Sequence, residues 1–226
     1  MKRILYIFLG VLTLTACQPE LSEGECVLEL DIVRANVPIV HTRGVDADLA
    51  ISIRDANGQE RAYYLAGNIP NIITLNSGTF TICAYTENQT TWHTANNGKG
   101  EACYFAEQSV TMEYDQKTYI TMEVPMTNLA IGIEFPELFD DLFSSYQFNL
   151  KSGNREVAIQ EGEKAYFSVT DEGFSYALSA TNIDGVSHTQ PAKQITNVES
   201  GKCYLLQYQY STETASYIDT IEITHD

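Results

Sequence analysis

The run Leu129 to Phe135 puts an apolar side chain at every second position, and the same period returns along much of the chain. Leu49, Ile51 and Ile53 alternate with Ala50, Ser52 and Arg54, while Ile120, Met122 and Val124 alternate with Tyr119, Thr121 and Glu123. A strand turns successive side chains to opposite faces, so this period buries one face and wets the other, whereas a helix needs a period of 3.6. The turn pairs Asn57-Gly58, Ser77-Gly78, Asp184-Gly185 and Ser200-Gly201 break the runs at short intervals. Short alternating strands broken in this way predict an all-β chain of antiparallel β-sandwiches. One stretch reads as helix, Pro136 to Ser145, because proline suits a first helical turn and Leu138, Phe139, Leu142 and Phe143 fall on one side. Its predicted place is over one end of a second sandwich.

Much of this pattern occurs twice. ITLNSGTFTICAYTEN (73–88) and FSVTDEGFSYALSATN (167–182) place Gly78 and Gly173 at equivalent points, each before a phenylalanine and an alternating run. Ahead of them, Ile51 to Arg54 entering a tight turn matches Phe148 to Lys151 entering another. Behind them, Lys117 to Met122 matches Lys202 to Gln207. Three matches in one order predict two tandem copies of about 100 residues, each long enough to bury a core of its own. The expected divisions are residues 26–126 and 127–226, with the junction at Pro125 to Asn128.

The first 16 residues read as an export signal. Lys2 and Arg3 form a positive region, and Ile4 to Leu14 is too short an apolar run to span a bilayer as a helix. Leu14-Thr15-Ala16-Cys17 then resembles a lipobox, which makes Cys17 the expected site of lipidation. Two or three acyl chains, at about 0.8 kcal/mol per buried methylene, anchor a protein to a membrane without a spanning helix. Residues 17–25 are acidic and carry Pro19 and Gly24, a tether composition.

The whole chain has a formal net charge of −17, and without residues 1–16 eleven basic residues face thirty acidic ones, a net −19. Nucleic acid is excluded as a partner, since phosphate binding needs a basic patch. The charge reads as a solvated, self-repelling surface. Beyond Cys17 there remain Cys26, Cys83, Cys103 and Cys203, an even number in an exported chain. A Cys83–Cys103 bridge is the favoured single pairing; four reduced, buried thiols are the alternative.

Enzyme signatures are missing: no Gly-x-Ser-x-Gly elbow, no His-Glu-x-x-His, no phosphate loop and no dinucleotide fingerprint occur. No cofactor, metal or catalytic residue is expected. The pair Asp46-x-Asp48 lacks the further oxygen ligands of a calcium loop and reads as a polar strand entry. The one stretch with binding character is 88–100, a long polar loop holding the only tryptophan. Trp92, with His93, Asn96 and Asn97, is a candidate platform for a glycan, whose apolar face stacks on an indole; the alternative is a ring that folds back over the sandwich edge.

The lipobox, the strand Ile73 to Phe80 with its Asn76-Ser77-Gly78 turn, and the junction Val124-Pro125-Met126-Thr127-Asn128 together resemble a domain-of-unknown-function family of Bacteroidetes lipoproteins related to the fimbrillins. The resemblance spans nearly the whole mature chain. It implies two transthyretin-like, immunoglobulin-like sandwiches at the outer membrane and cell surface, serving as a subunit, anchor or adhesin of a fimbrial assembly. It further implies two arginines to watch. In polymerising fimbrillins an arginine-specific protease removes the first strand, and here Arg34 and Arg43 follow a first strand at Cys26 to Val33. A cut at either would separate Cys17 from the body; the expectation is an uncut, lipid-retaining protein with both arginines as solvated loop charges. Asp219-Thr220-Ile221 resembles a short O-glycosylation motif of the same bacteria, with Thr220 as acceptor.

Overall fold

A computed structural model of the chain describes residues 25–35, 46–211 and 216–225, and strands dominate it. The first half holds β1 (Glu25–Arg34), β2 (Ala50–Asp55), β3 (Glu60–Tyr64), β4 (Ile73–Asn76), β5 (Gly78–Tyr85), β6 (Phe105–Met112) and β7 (Lys117–Val124). They form two sheets, ordered β4-β1-β7 and β3-β2-β5-β6. The second half holds β8 (Leu129–Glu134), β9 (Phe143–Ser152), β10 (Arg155–Ile159), β11 (Lys164–Phe167), β12 (Phe174–Asn182), β13 (Ser187–Thr189), β14 (Lys193–Ile195), β15 (Lys202–Ser211) and β16 (Ser216–His225). Its sheets are ordered β11-β8-β15-β16 and β10-β9-β12-β13, with β14 also on β12.

The repeat read in the sequence is the repeat of the fold. Strand for strand, β4-β1-β7 corresponds to β11-β8-β15 and β3-β2-β5 to β10-β9-β12; the second copy adds β16. Each copy also contains one pairing that the period of two does not reveal. Strand β1 runs parallel to β7, aligning Val27 with Lys117 and Arg34 with Val124. Strand β8 runs parallel to β15, aligning Ala130 with Cys203. Side chains alternate identically in parallel and antiparallel strands, so the expected antiparallel sandwich acquires its one parallel pair per copy from connectivity alone.

Alternation decides what is buried. In β1, Cys26, Leu28, Leu30 and Ile32 join Ile51, Ile53, Ile82 and Val124 in one apolar cluster. A second cluster gathers Leu129, Ile131, Phe148, Leu150, Phe167, Phe174, Tyr204 and Leu206. Leu28, Ile32, Ile51 and Phe148 have no solvent exposure, and each such side chain contributes about 1.5–3 kcal/mol relative to an exposed one. Gly173 is fixed by packing as well as by conformation: at φ +69°, an added Cβ would lie 1.9 Å from the Ile195 carbonyl oxygen.

The expected helix over Pro136 to Ser145 is reduced to one turn, α2 (Phe139–Leu142), and β9 begins at Phe143. The four-residue spacing that suggested a helix serves a ring stack. Phe135 lies 3.9 Å from Phe139 and Phe139 lies 4.7 Å from Phe143, centroid to centroid. Pairing of Phe143 with Asn182 and Ser145 with Thr181 on β12 draws the rest into strand, because a helix this short has little stability of its own.

Candidate functional site

The loop singled out by its tryptophan lies where the two copies meet. It begins with a turn of 3₁₀ helix, Trp92–Thr94, and continues into α1 (Ala95–Gly98). Asn96 and Asn97 take left-handed backbone angles, φ 51° and 58°, which asparagine tolerates better than most residues. Asn96 Nδ2 donates to the Gly100 carbonyl at 2.8 Å and closes the loop on itself.

Arg155, the first residue of β10, reaches into this loop from the second copy. Its Nη2 donates to the carbonyl of Gly98 at 2.5 Å and to that of His93 at 3.4 Å, and its Nη1 donates to the Tyr166 carbonyl. The guanidinium also lies 5.5 Å from the Trp92 ring centroid and 4.6 Å from that of Phe167, an arrangement that suits a weakly hydrated planar cation. Burial pushes its pKa down, while the carbonyls and rings stand in for lost water. Lys99 pairs with Glu163 at 2.5 Å, and the Tyr166 amide donates to the Lys99 carbonyl at 2.8 Å. The hydrogen bond from Lys99 holds the Glu163 carboxyl below its usual range.

Beside the loop, the junction is a hydrogen-bonded clasp. Asn128, 3% exposed, accepts from the Cys103 amide through Oδ1 at 3.1 Å and donates to the Glu101 carbonyl at 2.8 Å. Its own carbonyl accepts from the Gly201 amide at 2.9 Å. The side chain thereby holds the first copy and the backbone carbonyl the second. Of the candidate glycan platform, Trp92 is half-buried while His93, Asn96 and Asn97 are exposed; a guanidinium already occupies one face of the indole. Arg155 was invisible to sequence reasoning, since a lone arginine after a turn carries no motif.

Arg34 corrects a second expectation. It is the last residue of β1, not a solvated loop charge. Its Nε meets Asp46 at 2.9 Å, its Nη2 meets Asp48 at 2.8 Å, and its guanidinium lies 5.3 Å from the Tyr104 ring centroid. The acidic pair Asp46-x-Asp48 is thus the partner of this arginine, with the Asp48 amide donating to Asp46 at 3.0 Å. Burial pushes the Asp46 carboxyl up, yet the Asp48 amide and Arg34 together hold it below the usual carboxylate range. Strand β1 is the centre of its sheet, held by β7 over Val27 to Arg34 and by β4 over Glu25 to Leu28. All these contacts lie on the N-terminal side of any cut beyond Arg34 and join that side to β4, β7, Asp46 and Asp48.

The Cys83–Cys103 bridge is also corrected: Cys26, Cys83, Cys103 and Cys203 are four free, buried thiols. Cys83 pairs in register with Glu107 across β5 and β6. Cys103 lies four residues further along that line, about 13 Å at 3.3 Å per residue, beyond the roughly 7 Å that a disulfide spans between Cα atoms. Cys17 and Arg43 lie outside the described residues. Thr220 lies in β16, opposite Gln207 of β15.

Beyond Leu28, no described strand pairs with β1 on its β4 side. A groove of about 420 Å³ opens there, lined by Glu29, Leu30, Asp31, Ile69, Ile72 and Tyr119 among others.

Comparison with known proteins agrees with this architecture. A family model described as a domain of unknown function, DUF4493, matches residues 24–226. No curated protein sequence matches the chain. The crystal structure of a candidate cell adhesion protein from Bacteroides uniformis matches with a TM-score of 0.50 at 14% identity, covering 90% of this chain and 99% of that one. A second, from Bacteroides eggerthii, matches with a TM-score of 0.50 at 10% identity, covering 90% and 96%. The fimbrial anchor protein Mfa2 from Porphyromonas gingivalis matches with a TM-score of 0.41 at 12% identity, covering 90% and 98%. At such identities the first two comparisons establish a shared fold. Matched by that model over nearly its whole length, the chain belongs to the DUF4493 family.

Proposed function

We propose that this protein is a non-catalytic cell-envelope lipoprotein, anchored by acyl chains on Cys17 and acting as a subunit or anchor of a fimbria-like surface assembly. The observation that carries the reading is the two-sandwich fold, shared over 90% of the chain with a candidate Bacteroides cell adhesion protein, behind a sequence that ends its apolar leader in Thr15-Ala16-Cys17. The buried, ion-paired β1 fits the anchor role, because it ties the tether to the core of the first sandwich. Its edge from Glu29 to Asp31, which no described strand covers on the β4 side, offers backbone to a strand of a neighbouring subunit.

Two measurements test this together. Cys17→Ser is expected to leave a folded protein that no longer sediments with membranes, and protease treatment of intact cells is expected to remove the wild-type protein. Persistence of Cys17→Ser in salt-washed membranes removes the lipid anchor; protection of the wild type on intact cells removes the surface assembly.

A further inference from the structure

We infer that the free end of the second sandwich is a docking surface for a protein segment that presents aliphatic side chains flanked by lysine or arginine. Four large aliphatic residues are bare there: Leu138 is 65% exposed, Leu142 43%, Ile183 66% and Val186 53%. Scattered exposed aliphatics are ordinary, but a group of this kind in one place marks an interaction site. These four are neighbours by construction. Leu138 and Leu142 stand four residues apart across α2, the Ile183 amide donates to the Leu142 carbonyl at 3.0 Å, and the Asn182 amide donates to the Val186 carbonyl at 2.9 Å. The same segment carries the stacked rings of Phe135, Phe139 and Phe143, with Phe143 meeting His188 edge-on at 6.1 Å.

The charge around the patch has one sign. Glu137, Asp140, Asp141 and Asp184 border it, and neither 136–146 nor 182–188 contains a lysine or arginine. An anionic bilayer would be repelled by this rim, and a second copy would bring its own four carboxylates against it. A partner with cationic flanks and an aliphatic centre satisfies both features.

The internal repeat independently designates this end. In the first copy the corresponding pole, where β5 ends and β6 begins, is covered by the second copy through Arg155, a cation that enters from the neighbour. In the second copy, the pole where β12 ends has no such cover among the described residues.

The experiment measures binding of an amphipathic leucine–lysine peptide and of its leucine–glutamate counterpart to the chain from residue 18 onward. The acidic protein would attract lysine anywhere on its surface, so charge-neutral substitutions decide. The lysine peptide is expected to bind, the glutamate peptide is not, and Leu138→Ser with Ile183→Ser is expected to weaken binding about tenfold with unchanged melting temperature. Asp140→Asn with Asp141→Asn is expected to weaken it severalfold and to flatten its salt dependence. Equal binding of both peptides, no binding of either, or full binding by the serine variant overturns the inference. So does concentration-dependent self-association of the free protein that the serine variant abolishes, which would make a second copy the occupant.

Discussion

The connection after β5 runs from 86 to 104, whereas its counterpart after β12 runs only from 183 to 186. The long one folds Trp92 under Arg155 and joins the second copy; the short one turns tightly at Gly185 and leaves Ile183 and Val186 in solvent. The two copies therefore share strand order and differ at equivalent poles. Where the first copy meets the second, its loop forms an interface; at the equivalent pole of the second copy, where no described residue covers it, the turn is small and its aliphatics are bare. A fold repeated in tandem places each specialisation in its connections, because the sheets are held by their own cores.

The largest expected effects test whether those cores are separate. Leu28→Ala empties a fully buried position in the first cluster and Phe148→Ala one in the second, costing about 2–5 and about 3–5 kcal/mol respectively. Two domains divided at 126/127 predict that each substitution lowers one unfolding transition and spares the other, as read by differential scanning calorimetry. A single transition shifted equally by both would make the chain one cooperative unit.

Next in size is the interface itself. Arg155→Ala removes a cation hydrogen-bonded to three carbonyls, a loss of about 1.5–3 kcal/mol per charged hydrogen bond at the upper limit and far less in sum, since water enters to replace it. The expected outcome is a wider gap between the two transitions and stronger acrylamide quenching of Trp92, the only tryptophan. Unaltered quenching would mean that the indole is held by its own loop.

Sequence reasoning succeeded where one local rule governs many residues. The period of two located β1, β2, β7 and β8, and the paired motifs around Gly78 and Gly173 announced the duplication. It fell short where a contact joins residues far apart in the chain. Arg155 and Gly98 are separated by 57 positions, and the parallel pairing of β1 with β7 leaves no trace in either strand's pattern. The helix expected over Pro136 to Ser145 is present but only one turn long, for a related reason: ring stacking and pairing with β12 take up the rest of the stretch. The apolar residues Leu138 and Leu142 were noticed as helical; that they are bare could be learned only from the structure.

A smaller effect concerns the first strand. Cleavage at Arg43 is expected to give two fragments that coelute in native buffer and separate only in denaturant, because β1 keeps its registers with β4 and β7. Size-exclusion chromatography followed by mass spectrometry reads this directly, and prompt release of the Cys17-bearing fragment would show that the strand is held chiefly by the chain.

The smallest effect belongs to the pair that ends that strand. The folded-state pKa of Asp46 is lowered, because although burial pushes it up, the Asp48 amide and Arg34 outweigh that influence. A carboxyl with a depressed folded pKa binds fewer protons folded than unfolded, so its contribution is complete above the unfolded value and disappears as pH falls through the folded one. Asp46→Asn is therefore expected to cost about 1 kcal/mol or less at neutral pH, as partly exposed ion pairs do, and the difference from wild type should shrink on acidification below about pH 4. Denaturant titrations of the two proteins at neutral and acidic pH measure it. A difference that stays constant across that range would assign the effect to hydrogen bonding that asparagine loses, and would leave Arg34 held by Asp48 and the Tyr104 ring alone.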